Sequence, residues 1–209
     1  MNVIGLSPFG GFELYHRSLR TLADLCSDVI IRMDLRRGLP LSELPKGPKW
    51  HLFPAKQKWD RGGYHEELLR EVDNLGLQPD VIVALDDDES FNDDETAKRD
   101  CARLVAGEGW QCWFGYGKMP NWDFEDLPIY PLSPHVKAFR WRPGLSYLPY
   151  VGRDQVASLV GETSIIGEAK IAHWCCWTPE LRRQHEAQIR EIYAAEIAAG
   201  QPVLSECAT

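Results

Sequence analysis

No apolar run in this 209-residue chain approaches the roughly 18 residues that cross a bilayer. The opening Met-Asn-Val-Ile-Gly also lacks the charged start and long apolar stretch of a secretory leader. No internal repeat recurs. Six cysteines are present, at Cys26, Cys101, Cys112, Cys175, Cys176 and Cys207, but none forms a Cys-x-x-Cys pair. Adjacent cysteines seldom bridge each other, so the six read as reduced thiols, mostly small core residues, in a cytoplasmic protein. Excess positive charge is missing too: 23 Lys and Arg stand against 31 Asp and Glu, for a net charge of −8. That balance argues against a dedicated duplex-DNA or anionic-membrane binder, which needs clustered cations.

What is present suits one compact domain. The length is enough for a sizeable core without disulfides, and 44% hydrophobic with 26% charged residues is ordinary for a globular chain. The acids are unevenly placed. Residues 86–95 read Asp-Asp-Asp-Glu-Ser-Phe-Asn-Asp-Asp-Glu, seven acids in ten residues, and the rest of the chain is close to neutral. Just before them, Val81 to Leu85 is a short β-rich apolar run of the kind that forms a buried parallel strand. In open α/β sheets ligands gather at the carboxyl ends of strands. Asp86 and Asp88, two residues apart, can face one side of an extended segment and share a hard cation. Asp93, Asp94 and Glu95 lie beyond Phe91 and Asn92, and are expected to cap or start a helix, where acids suit the dipole.

The remaining pattern predicts an α/β protein with a mainly parallel sheet flanked by helices. Strands are expected at 3–6, 28–34, 50–53 and 81–85. The first should end in the turn 7–11. Helices are expected at 12–26 and 64–75, the second stopping at Gly76. Residues 35–48 read as a loop. Residues 110–153, rich in Pro, Gly and aromatics, predict irregular β structure and functional loops. A short strand near 169–172 follows. A last helix then opens with Thr178 as cap and Pro179 in its first turn, running to about 199. The domain is expected over 1–200, with a nucleotide-binding half at 1–100, an acceptor-side half at 101–200 and a tail at 201–209.

Two motifs carry a family resemblance. Pro79 and Asp80, then the apolar strand, then Asp86, Asp87, Asp88 and Glu89 form the first. Lys170, His173, the aromatic stretch after it, Thr178-Pro179-Glu180 and the pair Arg182 and Arg183 form the second. Together, over roughly residues 1–185, they resemble the small nucleotide-sugar glycosyltransferases with the GT-A fold, notably the family-two type. The resemblance implies a nucleotide-diphospho-sugar transferase fold and transfer of a sugar to an acceptor hydroxyl, with inversion. It implies Mn²⁺ or Mg²⁺ held by Asp86, Asp88 and His173. It places Asp34, Arg61, Asp86, Arg182 and Arg183 on the UDP- or GDP-linked donor. The general base is expected among the acids of 121–126, with Asp126 first and Asp123 second. The acceptor stays open between a glycan, a protein and a modified nucleic-acid base.

The chemistry makes the same demand. Cleaving a sugar–diphosphate bond requires stabilising the departing nucleotide, which a divalent ion held by hard oxygens does as a Lewis acid, and a base must deprotonate the acceptor. Sequence departs from the family at 7–11 and 33–37, where neither the asparagine-containing turn nor the Asp-Asp-Gly-Ser pattern occurs. His135 could approach a substrate, one of Trp110, Trp113, Trp122 and Trp141 could stack on a sugar, and Lys137, Arg140, Arg142 and Arg153 form a local basic run. Two other readings are a haloacid-dehalogenase-like phosphohydrolase, whose Asp-x-Asp normally ends the first strand, and a non-catalytic sugar- or nucleotide-binding domain.

Overall fold

The computed structural model describes residues 1–10, 14–33, 39, 41–54, 63–118, 135–147, 156–174, 178–180, 183 and 187. Its strands are β1 (Val3–Phe9), β2 (Asp28–Met33), β3 (Lys49–Pro54), β4 (Val81–Ala84), β5 (Glu89–Phe91), β6 (Gln111–Lys118), β7 (His135–Arg140) and β8 (Ser164–His173). Its helices are α1 (Tyr15–Leu25), α2 (Gly63–Asn74) and α3 (Asp94–Val105). All eight strands join one sheet in the order β3-β2-β1-β4-β7-β6-β8-β5.

The first four strands in that order are mutually parallel, as their βαβ spacing predicts. Beyond β4 the sheet is mixed. β7 runs antiparallel to both β4 and β6, β6 and β8 are parallel, and β5 closes the edge antiparallel to β8. Helices cover both faces. Leu19, Leu22 and Leu25 of α1 and Leu104 of α3 bury into one core, and Leu68, Leu69 and Val72 of α2 into the other. This two-sided burial explains why the central strands read as continuous apolar runs. Arg32 at the end of β2 adds a nearly buried ion pair with Glu67 of α2.

Several boundaries differ from expectation. β1 continues through Ser7, Pro8 and Phe9, where the sequence suggests a turn. The β1–β4 pairing stops at Leu6 with Ala84, so Pro8 keeps a partner only in β2, and its missing N–H breaks no ladder on the other side. β5 forms where a solvated acidic loop is the default, and β8 is ten residues long rather than four. His65 of α2 is buried and stacked on Tyr147 at 4.5 Å. Asp93 caps α3 as expected: its carboxylate accepts the Glu95 and Thr96 backbone N–H groups at 3.0 and 3.3 Å. Gly76, with φ of 64°, ends α2 in the left-handed region. Pro179 and Glu180 are helical, and most of the expected final helix lies outside the described residues. Among the described residues no helix is long and apolar enough to cross a membrane.

Two predictions follow from the packing on the α1/α3 face. Gly167 sits against the Phe114 ring; a β-carbon there would lie 2.5 Å from two ring carbons and 3.0 Å from Cys112 Sγ. Gly167→Ala is expected to destabilise the protein by about 1–3 kcal/mol through overpacking, seen as a lower urea midpoint at unchanged m-value. Cys26, Cys101 and Cys112 are free thiols buried in this core. Burial pushes all three up, Cys101 to about 12. Because the thiolate is the nucleophile, native protein at pH 8 should leave these three unlabelled by iodoacetamide, and urea should expose them; peptide mass spectrometry reads both states.

Candidate functional site

The acid run begins where β4 leaves the sheet. Leu85 extends the ladder, donating its N–H to Leu6 O at 3.0 Å, and residues 86–89 then reverse in a tight turn closed by Glu89 N–H on Asp86 O at 3.1 Å. The Ser18 hydroxyl of α1 donates to the same carbonyl at 3.0 Å. The turn leads into β5, whose Glu89 lies opposite His173 of β8. Trp174 fixes that junction by donating its backbone N–H to Asp88 O at 2.8 Å and its indole N–H to Ser90 Oγ at 2.9 Å. The guanidinium of the exposed Arg17 covers the Trp174 ring at 4.0 Å.

Four adjacent carboxylates at one strand end repel one another, and the fold offsets this with three partners, Lys137 being shared by two of the acids. Asp87 accepts the Gly10 backbone N–H at 2.8 Å, tying the end of β1 to the turn. Asp88 Oδ2 lies 2.7 Å from His173 Nε2. Glu89 is 2% exposed; its Oε2 accepts the Asp86 backbone N–H at 2.9 Å and meets the Lys137 ammonium at 2.8 Å. Asp86 remains 24% exposed, with Lys137 Nζ 3.6 Å from its carboxylate.

Lys137 arrives there through a β-bulge. On β6, Cys112 pairs with Ala138 and the next residue, Trp113, pairs with Val136, so Lys137 has no opposite number. Bulges re-aim the extra side chain. This one sends a fully buried lysine past the last β4–β7 pair, Val83 with Ala138, to the base of the acid turn. The neighbouring basic residues go elsewhere. Because β7 is antiparallel to β4, Arg140 pairs with Val81 at the amino end of β4, and Arg140 and Arg142 stack over Trp110 at 4.4 and 4.7 Å. The basic run therefore does not form one patch. Trp110, Trp113 and Trp141 pack half-buried against the α2-side core.

His173 feels opposing influences. Burial, the largest, lowers its pKa; the charge of Asp88, their hydrogen bond and the charges of Glu89 and Asp86 together overcome it and leave the imidazole above its ordinary value. As for a divalent ion, Asp88 Oδ2 and His173 Nε2 are about as close as two adjacent ligands of one ion, which lie roughly 3.0 Å apart for bonds of about 2.1 Å. A carboxylate with an imidazole suits Mn²⁺ better than Ca²⁺. Among the described residues no three His, Cys, Asp or Glu side chains converge as a complete cage. Sites of one or two protein ligands completed by substrate phosphates are usual for Mg²⁺, so the donor set fits such an ion.

Asp88 and His173, from distant parts of the chain, lie together, with Asp86 on the same turn beside Lys137. Arg183 is exposed and paired with Glu180 one turn earlier. Asp34, Arg61, Asp123, Asp126 and Arg182 lie outside the described residues, as do Trp122, Arg153 and the side chain of His135. Sequence reasoning missed the roles of Lys137, Ser18 and Arg17. The one available signal was a lysine among Val136, Ala138 and Phe139 of β7.

No family model matches the chain, and no curated protein does. Solved structures similar to it include S. aureus TarS, at 16% identity over 67% of this chain and 28% of that one, with a TM-score of 0.49. Others are a 4-diphosphocytidyl-2C-methyl-D-erythritol synthase from Anaerococcus prevotii, at 12% identity over 66% and 70%, TM-score 0.45, and a mannose-1-phosphate geranyltransferase from Thermus thermophilus, at 16% identity over 58% and 42%, TM-score 0.41. The chain spans little more than a quarter of the length of TarS.

The buried ion pair carries a stability prediction. Lys137→Met leaves Glu89 charged and unmatched in the interior, at an expected cost of about 3–5 kcal/mol. Lys137→Met/Glu89→Gln, which removes both charges, should recover most of that in urea titrations. A single-variant cost within experimental error of zero would mean that the pair is solvated.

Proposed function

We propose that the protein is a metal-dependent glycosyltransferase that moves a sugar from a nucleotide-diphosphate donor to an acceptor hydroxyl, with inversion. The observation that carries this reading is the acid turn at the carboxyl end of the central strand β4, with Asp88 against His173. It supports the reading because donor diphosphates are held where parallel strands end and a divalent cation can sit. The two motifs that resemble the GT-A family meet at this point. Asp88 and His173 would hold Mn²⁺ or Mg²⁺, with Asp86 beside them on the turn. Such an ion, when bound, neutralises the leaving diphosphate as a Lewis acid.

The chain's own residues have distinct tasks in this proposal. Asp86, partly exposed, accepts hydrogen bonds from the donor. Asp34 and Arg61 contribute to nucleotide recognition, and Arg182 and Arg183 offer planar forks for phosphate oxygens. Asp126, or else Asp123, takes the proton from the acceptor hydroxyl. The donor is UDP- or GDP-linked, the acceptor a glycan, a protein or a modified nucleic-acid base, and the reduced thiols fit a cytoplasmic setting.

Calorimetric titration with a panel of UDP- and GDP-sugars in Mn²⁺ tests this. At least one donor should bind, and Asp88→Ala should weaken it by tenfold or more, on the order of 1.4 kcal/mol. Absence of binding by every donor, or binding indifferent to Asp88→Ala, overturns the reading. Release of inorganic phosphate from simple phosphomonoesters, without nucleotide binding, would instead identify a phosphohydrolase.

A further inference from the structure

Lys137 has no part in the chemistry above, yet it is the most deeply placed charge at the site. It is fully buried, 2.8 Å from Glu89 and 3.6 Å from Asp86. A β-bulge delivers it to that position. We infer that Lys137 is a positioning residue: an internal cation that competes with the divalent ion for Asp86 and so limits how tightly the acid turn holds that ion. The inference rests on the reading of the turn as a cation and donor site, and deepens it.

The electrostatics follow from the placement. Glu89 is committed to Lys137 and to the Asp86 backbone N–H, so it is a counter-charge to the lysine rather than a ligand. Asp86 stands between two cations, the ammonium beneath it and any ion held at Asp88 and His173. A fixed positive charge a few ångströms from an ion site weakens ion binding, and in a partly buried setting its effect is not screened away. The lysine also holds the turn together in the absence of an ion.

This role predicts opposite signs for two single substitutions. Removing the cation, in Lys137→Met, frees Asp86 and should tighten Mn²⁺ binding by about tenfold. Removing the counter-charge, in Glu89→Gln, leaves more of the lysine's charge uncompensated beside Asp86 and should weaken Mn²⁺ binding by about the same factor. The double variant should return close to wild type. A lysine that merely propped up the fold would weaken binding in all three.

Free Mn²⁺ is counted by its paramagnetic resonance signal during titration of each purified, folded variant with UDP or GDP at a fixed concentration, against a protein-free control, and no turnover is required. Opposite-signed shifts with a near-neutral double variant support the inference. Mn²⁺ binding by wild type with both single variants weakened, or both unchanged, overturns it while leaving the site reading intact. No Mn²⁺ binding by wild type beyond that control overturns the two together. Should Lys137→Met fail to fold, Glu89→Gln still decides: unchanged or tighter Mn²⁺ binding in that variant refutes the competition.

Discussion

A buried ammonium against a buried carboxylate governs how the rest of the site is arranged. Lys137 and Glu89 are both sealed from solvent and 2.8 Å apart, and neither could stay charged there alone. Their pairing fixes the far end of the acid turn, because Glu89 also binds the Asp86 backbone N–H. Between the two ends of the turn, Asp88 lies against His173 and Asp87 reaches back to Gly10. The turn is thus held by β1, β5, β7, β8 and α1 together. A buried ion pair adds little net stability compared with apolar packing; its contribution here is to specify one geometry among the many that four acids could adopt.

That geometry depends on the mixed half of the sheet. A purely parallel arrangement delivers only strand carboxyl ends to one edge. Here the antiparallel β7 begins at that edge, so a lysine near its start lies under the turn, while β8, parallel to β6, ends there and contributes His173. Short β5 pairs with the last residues of β8, and the α3 side chains reach the preceding stretch: Asp100 accepts the Ala169 N–H at 2.9 Å and Arg103 donates to Ile166 O at 3.1 Å. The strand that carries His173 is therefore braced by α3 as well as by its neighbours in the sheet, which suits a residue that must keep its position.

The parallel half was legible in the chain because local rules determine it. Val81 to Leu85 is apolar on both faces, Gly76 stops α2, and Asp93 caps α3, each a signal contained in a few adjacent residues. The meeting of Asp88 with His173 was legible only through the resemblance of two motifs, since nothing local links residues 85 apart. β5 and the length of β8 were not legible. Glu89, Ser90 and Phe91 are a strand because β8 offers them a partner, and strand tendency of this kind depends on the neighbour more than on the residues. Lys137 was read with Arg140 and Arg142 as one basic run for a related reason. A one-residue bulge changes which way a side chain points, and a lysine among the apolar residues of β7 does not by itself announce one.

The net charge of −8 takes on a different meaning once each acid has its place. A solvated acidic loop would leave its carboxylates equally open to any cation. In this turn Asp87 is turned to a backbone donor and Glu89 to an internal lysine, so two of the four consecutive acids are spent on structure. What faces outward is the edge formed by Asp86 and Asp88, beside a histidine, with the Arg17 guanidinium stacked on Trp174 nearby. An edge with negative and positive groups side by side is poorly suited to storing bare cations. It is better matched to a ligand that brings both signs, such as a diphosphate carrying a divalent ion, because each part then meets a partner of opposite charge.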